Sequence, residues 1–199
     1  ERQTVVGFAA VALFVEPERE ARVTIQPGVI GRVDLRRRLE DGRTILCVYP
    51  KGHGKGAIVY KRSEDGGKTW SARLPTPASW ETSLETPTIY RTVDRAGRRR
   101  LLVFSGLYPI RLSVSEDEGK SWSELRPIGP YGGIVAMGAL VALRDGSHLA
   151  MFHDDGRFFR EGGKADGVFR LYQVRSEDGG LTWGEPQLVF HSGDVHLCE

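Results

Sequence analysis

The chain has 199 residues, of which 40% are hydrophobic and 27% charged, the balance of an ordinary globular protein. Its formal net charge of +2 gives no general electrostatic case for a nucleic-acid or membrane partner. Two cysteines, Cys47 and Cys198, do not make a disulfide framework, and they leave the compartment open between secreted or periplasmic and cytoplasmic.

Along the chain, residues 1–22 form an N-terminal segment containing the apolar run Val5 to Val15. Eleven residues are too few to cross a bilayer as a helix. The run reads as an edge strand or the remnant of an export signal, although the basic region that opens such a signal is missing. From Val23 onward the sequence becomes repetitive. SEDGGKTW occupies Ser63 to Trp70, SEDEGKSW Ser115 to Trp122, and SEDGGLTW Ser176 to Trp183, with starts 52 and 61 residues apart. Each copy follows an alternating or apolar run that reads as a strand: AIVYKR, IRLSV and FRLYQVR. In each, the Asp is placed to accept hydrogen bonds from backbone N–H groups two or three residues on, and the Gly to supply a positive φ. The Trp opens the return strand and can bury its ring between sheets. The motif is therefore expected to fasten a hairpin and to have no catalytic role.

A second repeat is offset from the first. LEDGRTILCVY, RAGRRRLLVF and LRDGSHLAMF each place a turn before a strand, with Gly42, Gly97 and Gly146 55 and 49 residues apart. One unit thus reads strand, glycine turn, strand, loop, strand, box, strand. Four antiparallel strands in some 50 residues describe a propeller blade. The predicted fold class is all-β: a β-propeller of four-stranded antiparallel blades, occupying 23–199. About three and a half blades of a six-bladed propeller are expected, truncated at the C-terminus, since a propeller needs roughly four to eight blades to close.

Boxes of the form Ser-x-Asp-x-Gly-x-Thr-Trp on such blades resemble the Asp-box, or BNR-repeat, family, best known from the six-bladed sialidases. The box is shared with receptors and other hydrolases, so it fixes fold better than function. The resemblance to sialidases implies an exo-α-sialidase-type glycoside hydrolase acting on a terminal sialic acid or similar acidic sugar, with no cofactor or metal. The alternative it leaves open is a non-catalytic carbohydrate- or protein-binding propeller. In GRVDLRRRLEDG, Arg32 lies ten residues before Gly42, the place of the family's first carboxylate-gripping arginine, although the usual Ile-Pro is Val33-Asp34 here. Guanidinium suits that task because its planar fork matches a carboxylate. Glu199, in HLCE, occupies the comparable place of the Glu that activates a tyrosine nucleophile.

One position departs from the family pattern. Lys55 stands eight residues before the box serine, where sialidases carry an acid/base Asp, and a lysine normally stays protonated at pH 7. His53 is the nearest titratable substitute, and Asp34 is a second. Further candidates for the substrate pocket are Lys51, read as following the innermost strand of the first unit, Glu85 in SLETPT, and Asp154, Asp155 and Arg157 beside His153 in MFHDDGRF. The cationic run Arg95 to Arg100 reads as a solvated hairpin tip. No metalloprotease, P-loop or dinucleotide fingerprint is present.

Overall fold

The computed structural model describes residues 35–39, 41–52 and 55–194. Among them, eleven strands form three antiparallel sheets and no α-helix occurs. Sheet I contains β1 (Leu35–Arg38), β2 (Ile45–Gly52) and β3 (Lys55–Ser63). Sheet II contains β4 (Thr88–Val93), β5 (Arg99–Ser105), β6 (Arg111–Ser115) and β7 (Arg126–Pro127). Sheet III contains β8 (Val135–Ala142), β9 (His148–Asp154), β10 (Phe169–Ser176) and β11 (Gln187–Ser192). In every sheet the spatial order of the strands follows the order of the chain. The unit read from the two repeats is therefore the unit that folds.

Sheet I has three strands where four were expected. After the first box, only Ser71 N–H to Arg62 C=O (2.9 Å) and Leu74 N–H to Tyr60 C=O (3.1 Å) continue the ladder. Pro75 and Pro77 follow, and proline cannot donate to a sheet. The chain turns instead into a single 3-10 turn, Ala78–Thr82, that carries the buried Trp80. Pro127 cuts β7 to two residues in the same way. β1 (LRRR) lacks apolar alternation and is held in register by pairing with β2, Leu35 opposite Val48. Lys51 accordingly lies near the end of β2, the second strand of its sheet. Its placement after the innermost strand is corrected by that register.

The sheets stack face to face through two apolar clusters. Between I and II lie Leu46, Val48, Tyr60, Trp80, Leu101 and Val103, with Trp122 packed against them. Tyr60, Trp80 and Trp122 meet edge-on or tilted, with ring centroids 5.4 to 6.1 Å apart. Between II and III lie Tyr90, Phe104, Met137, Phe152, Tyr172 and Trp183. The side chains of β5 from Leu101 to Phe104 are fully buried because both faces of sheet II are covered. First strands contact first strands, β1 against β4 and β4 against β8, so the sheets share one orientation. All three boxes and glycine turns consequently lie at one end. The β2–β3, β5–β6 and β9–β10 loops lie at the other.

Candidate functional site

At the box end the three hairpins are near copies. Ser63, Ser115 and Ser176 each donate Oγ–H to the box Asp and accept the N–H of the glycine four residues on, at 2.8 Å in every copy. Asp65, Asp117 and Asp178 each accept an N–H and a hydroxyl from the residue four positions on: Thr69, Ser121 and Thr182. The donors thus lie three and four residues along rather than two or three, and the serine contributes half of the network. The glycine has a second duty besides its positive φ. A Cβ on Gly119 would lie 2.2 Å from Leu46 Cδ1, and one on Gly180 2.4 Å from Leu102 Cδ1. The second and third boxes are each pressed against the sheet before them. Trp183 is buried against Phe104 of sheet II, and Trp122, half-buried as Trp70 is, packs with sheet I. No sheet precedes sheet I among the described residues.

The neighbouring glycine turns use the same chemistry. Asp41 accepts Arg43 N–H and Thr44 N–H, and Asp145 accepts Ser147 N–H. Asp94 accepts Ala96 N–H, Arg98 N–H and the guanidinium groups of Arg98 and Arg100. The run Arg95 to Arg100 is exposed from Arg95 to Arg99, as a solvated tip, and is corrected only at Arg100. Arg100 is buried between Asp94 and Glu116, and Arg95 reaches into sheet III to Glu177 and the Asp145 carbonyl. Arginine pairs at a turn because its long stem can bridge to the next sheet.

These bonds set the protonation of the box end. Hydrogen bonds from Thr44 and Arg43 hold Asp41 at about 2, and those from Ser147 with Arg175 hold Asp145 at about 2. Burial works against ionisation of Asp117, yet the donors from Ser121, Ser115 and Lys120 outweigh it and lower its pKa to about 2. Asp65, Asp94 and Asp178 are likewise depressed by their donors.

The opposite end carries the candidate pocket residues. Lys51 is exposed, with its Cβ 3.6 Å from where a Cβ on Gly56 would sit, and Lys55 opens β3 opposite Gly52. Glu85 is half-buried, accepts Thr86 N–H at 2.7 Å and packs against Gly106 in the β5–β6 loop. Asp154 ends β9 fully buried and accepts Gly156 N–H (2.6 Å) and Phe158 N–H (3.0 Å). Its carboxylate shapes the β9–β10 loop. Burial pushes the Asp154 pKa up and pushes that of adjacent His153 down. Asp155 spends both oxygens on Arg157 Nε, at 2.8 and 2.9 Å. Arg32, Asp34, His53 and Glu199 lie outside the described residues. No group of three or more His, Cys, Asp or Glu side chains able to hold a metal occurs among the described residues.

The loops of sheets II and III interlock. Leu107 N–H donates to the Gly133 carbonyl at 2.7 Å, and a Cβ on Gly132 would strike Phe158 O, Leu107 O and Tyr108 Cα at 2.2 to 2.7 Å. Sheets II and III are thus also joined at the loop end, by close backbone approach.

Sequence reasoning missed Arg111. It opens β6 at the loop end, donating to Thr82 Oγ1 (2.6 Å), the Thr82 carbonyl (2.8 Å) and Ser105 Oγ (3.4 Å). The available signal was position: Lys55, Arg111 and Arg170 each stand at or next to the opening of the third strand of a unit.

Three consecutive antiparallel sheets, each closed by the same carboxylate-tied hairpin and sharing one orientation, define a β-propeller-like repeat protein. The chain belongs to the BNR repeat-like domain family, which it matches over residues 35–192. It is similar to the crystal structure of a protein of unknown function from Dyadobacter fermentans, with TM-score 0.50, 19% identity, and coverage of 78% of this chain and 50% of that one. It is also similar to an endo-arabinase from Bacteroides thetaiotaomicron, with TM-score 0.49, 15% identity, and coverage of 81% and 56%. The chain therefore spans about half the length of these structures. No curated protein matches the sequence. No described helix is long and apolar enough to cross a membrane.

Proposed function

We propose that this chain contributes three blades to a larger, six-bladed propeller that acts as a glycoside hydrolase of exo-α-sialidase type on an acidic sugar. The observation that carries the reading is the division of labour between the two ends. Family motifs occupy the box end as fasteners, and the loop end gathers Lys51, Lys55, Arg111 and the buried Asp154–His153 pair, whose pKa values are displaced by burial. Exposed apolar side chains on the edge strand β11, Leu188, Val189 and Phe190, support the larger ring, as surface that further structure would cover.

In this reading Arg32 grips the substrate carboxylate with its guanidinium fork. Glu199 accepts the proton of a tyrosine from a later blade, and that phenolate attacks the anomeric carbon as sialidases do outside the two-carboxylate scheme. His53 or Asp34 protonates the departing glycosidic oxygen in place of the usual Asp, with Lys51 and Lys55 favouring an anionic ligand. Lys55 also favours the second reading, a sugar-binding propeller without catalysis, because the usual acid is absent there. Release of 4-methylumbelliferone from its α-sialoside by the full-length protein, lost in Arg32→Ala and not restored in Arg32→Lys, is the expected result. No release under any pH between 4 and 8, with retained binding of the sugar, would replace the hydrolase by the binding module.

A further inference from the structure

Of the described arginines that are buried or half-buried, Arg62, Arg91, Arg100 and Arg170 pair with a carboxylate. Arg111 is the exception. Its described partners are the neutral oxygens of Thr82 and Ser105, and no described carboxylate lies within ion-pair reach. Burial lowers its pKa with no opposing acidic neighbour. A half-buried charge without a counter-charge is unfavourable, and a fold retains it at a cost unless an anion arrives from outside.

The surroundings are built to hold that side chain still. Ser83 and Ser105 are both fully buried and share a hydroxyl hydrogen bond at 2.9 Å. Thr82 closes the 3-10 turn that bridges sheets I and II, and it takes two guanidinium N–H groups through its hydroxyl and its carbonyl. The preceding loop carries Leu107 at φ +62°, a left-handed conformation that a leucine adopts only when its surroundings impose it. The pairing of Leu107 with Gly133 supplies that constraint. These contacts occupy three of the five guanidinium N–H groups, leaving the Nε–H and one Nη1–H.

We propose that Arg111, at the loop end of the seam between sheets I and II, forms a subsite for a singly charged oxyanion, a carboxylate or sulfate borne by a sugar. A single charge suits a single cation whose neighbours are hydroxyls, where a phosphate dianion would call for more donors. This subsite is separate from the clamp assigned to Arg32, and it rests on the reading of the loop end as the face that meets an acidic glycan.

The test is calorimetric titration of the full-length protein with N-acetylneuraminate, glucuronate and glucosamine 6-sulfate, with glucose as the uncharged control. The wild type is expected to bind at least one acidic sugar, and the arms with and without sulfate tell the two oxyanions apart. Arg111→Gln should weaken that binding about tenfold or more, the loss of one charge-assisted hydrogen bond. Arg111→Lys should recover part of it, since the charge returns without the planar donor set that Thr82 and Ser105 hold in place. In the wild type, the Arg111 Nε–H resonance should move on titration, a readout that does not depend on any variant folding. Binding of the acidic sugar unchanged in Arg111→Gln, or an unmoved Nε–H resonance at saturation, overturns the subsite and leaves the acidic-glycan reading standing. A wild type that binds none of the three acidic sugars overturns both.

Discussion

Asp117, tied by its serine and backbone donors, is held ionised at the box end down to a pKa of about 2, while Asp154, at the far end of sheet III, is pushed above its ordinary value. Both are aspartates at a turn and both accept backbone N–H groups. The difference is depth. Asp117 adds two hydroxyl donors to its N–H bonds, and these outweigh its burial. Asp154 receives only N–H donors beneath a folded loop, and desolvation wins. His153 beside it is also driven toward neutrality. Asp166, paired to Arg170, is the loop-end group that behaves like a box carboxylate, with a pKa of about 2. The box end of the repeat thus uses charge as a fastener, whereas at the loop end burial disfavours it at Asp154 and His153 beside the charged pairs of Asp155 and Asp166.

The contrast can be broken most severely through the glycine of a box. Gly119→Ala combines a positive φ with a Cβ only 2.2 Å from Leu46 Cδ1, so left-handed strain and overpacking add to a loss of about 2–5 kcal/mol. Urea unfolding should show it as a lowered midpoint. A midpoint equal to wild type would mean that the box does not press on the preceding sheet. Asp178→Ala removes the acceptor for Leu181 N–H, Thr182 N–H and two hydroxyls. It should cost about 1–3 kcal/mol and leave sugar affinity per folded molecule unchanged. Lost affinity with an unchanged melting temperature would move function to the box end.

A smaller effect should appear with pH at both ends. His148 and His153 have pKa values lowered by burial from an ordinary 6.5. Below pH 6.5 the unfolded chain takes up protons that the folded chain resists, so stability declines as pH falls from 6.5 toward the folded values. Asp117 acts only lower, its contribution present above about 4 and lost as pH falls through 2. His148→Gln, which removes a buried ring whose Nδ1 has no hydrogen-bond partner, should shrink the decline between pH 6.5 and 5. Melting temperatures measured across that interval check it, and an equally steep decline in the variant would exonerate His148.

The sequence made the box end legible because its chemistry is local. Ser, Asp, Gly and Thr or Ser within seven residues satisfy one another, so a repeat in the sequence is a repeat in space. The four-strand unit was legible for the same reason, except where Pro75, Pro77 and Pro127 cut the outer strands short. The loop end was less so. Arg111 acquires its meaning from Thr82, 29 residues earlier, and from a carboxylate that is missing from its described surroundings. Asp154 and Asp155 read as one acidic pair, yet one is buried under a loop and the other is held by Arg157. Spacing could not tell them apart, because loop depth is decided by contacts such as Gly132 against Leu107 and Phe158.

The most direct test of this division is a carboxyl-carbon NMR titration of the aspartates between pH 2 and 8. Asp65, Asp117 and Asp178 should stay ionised well below the ordinary aspartate value, and Asp154 should take up its proton above it. An Asp154 that titrates together with the box aspartates would contradict the account.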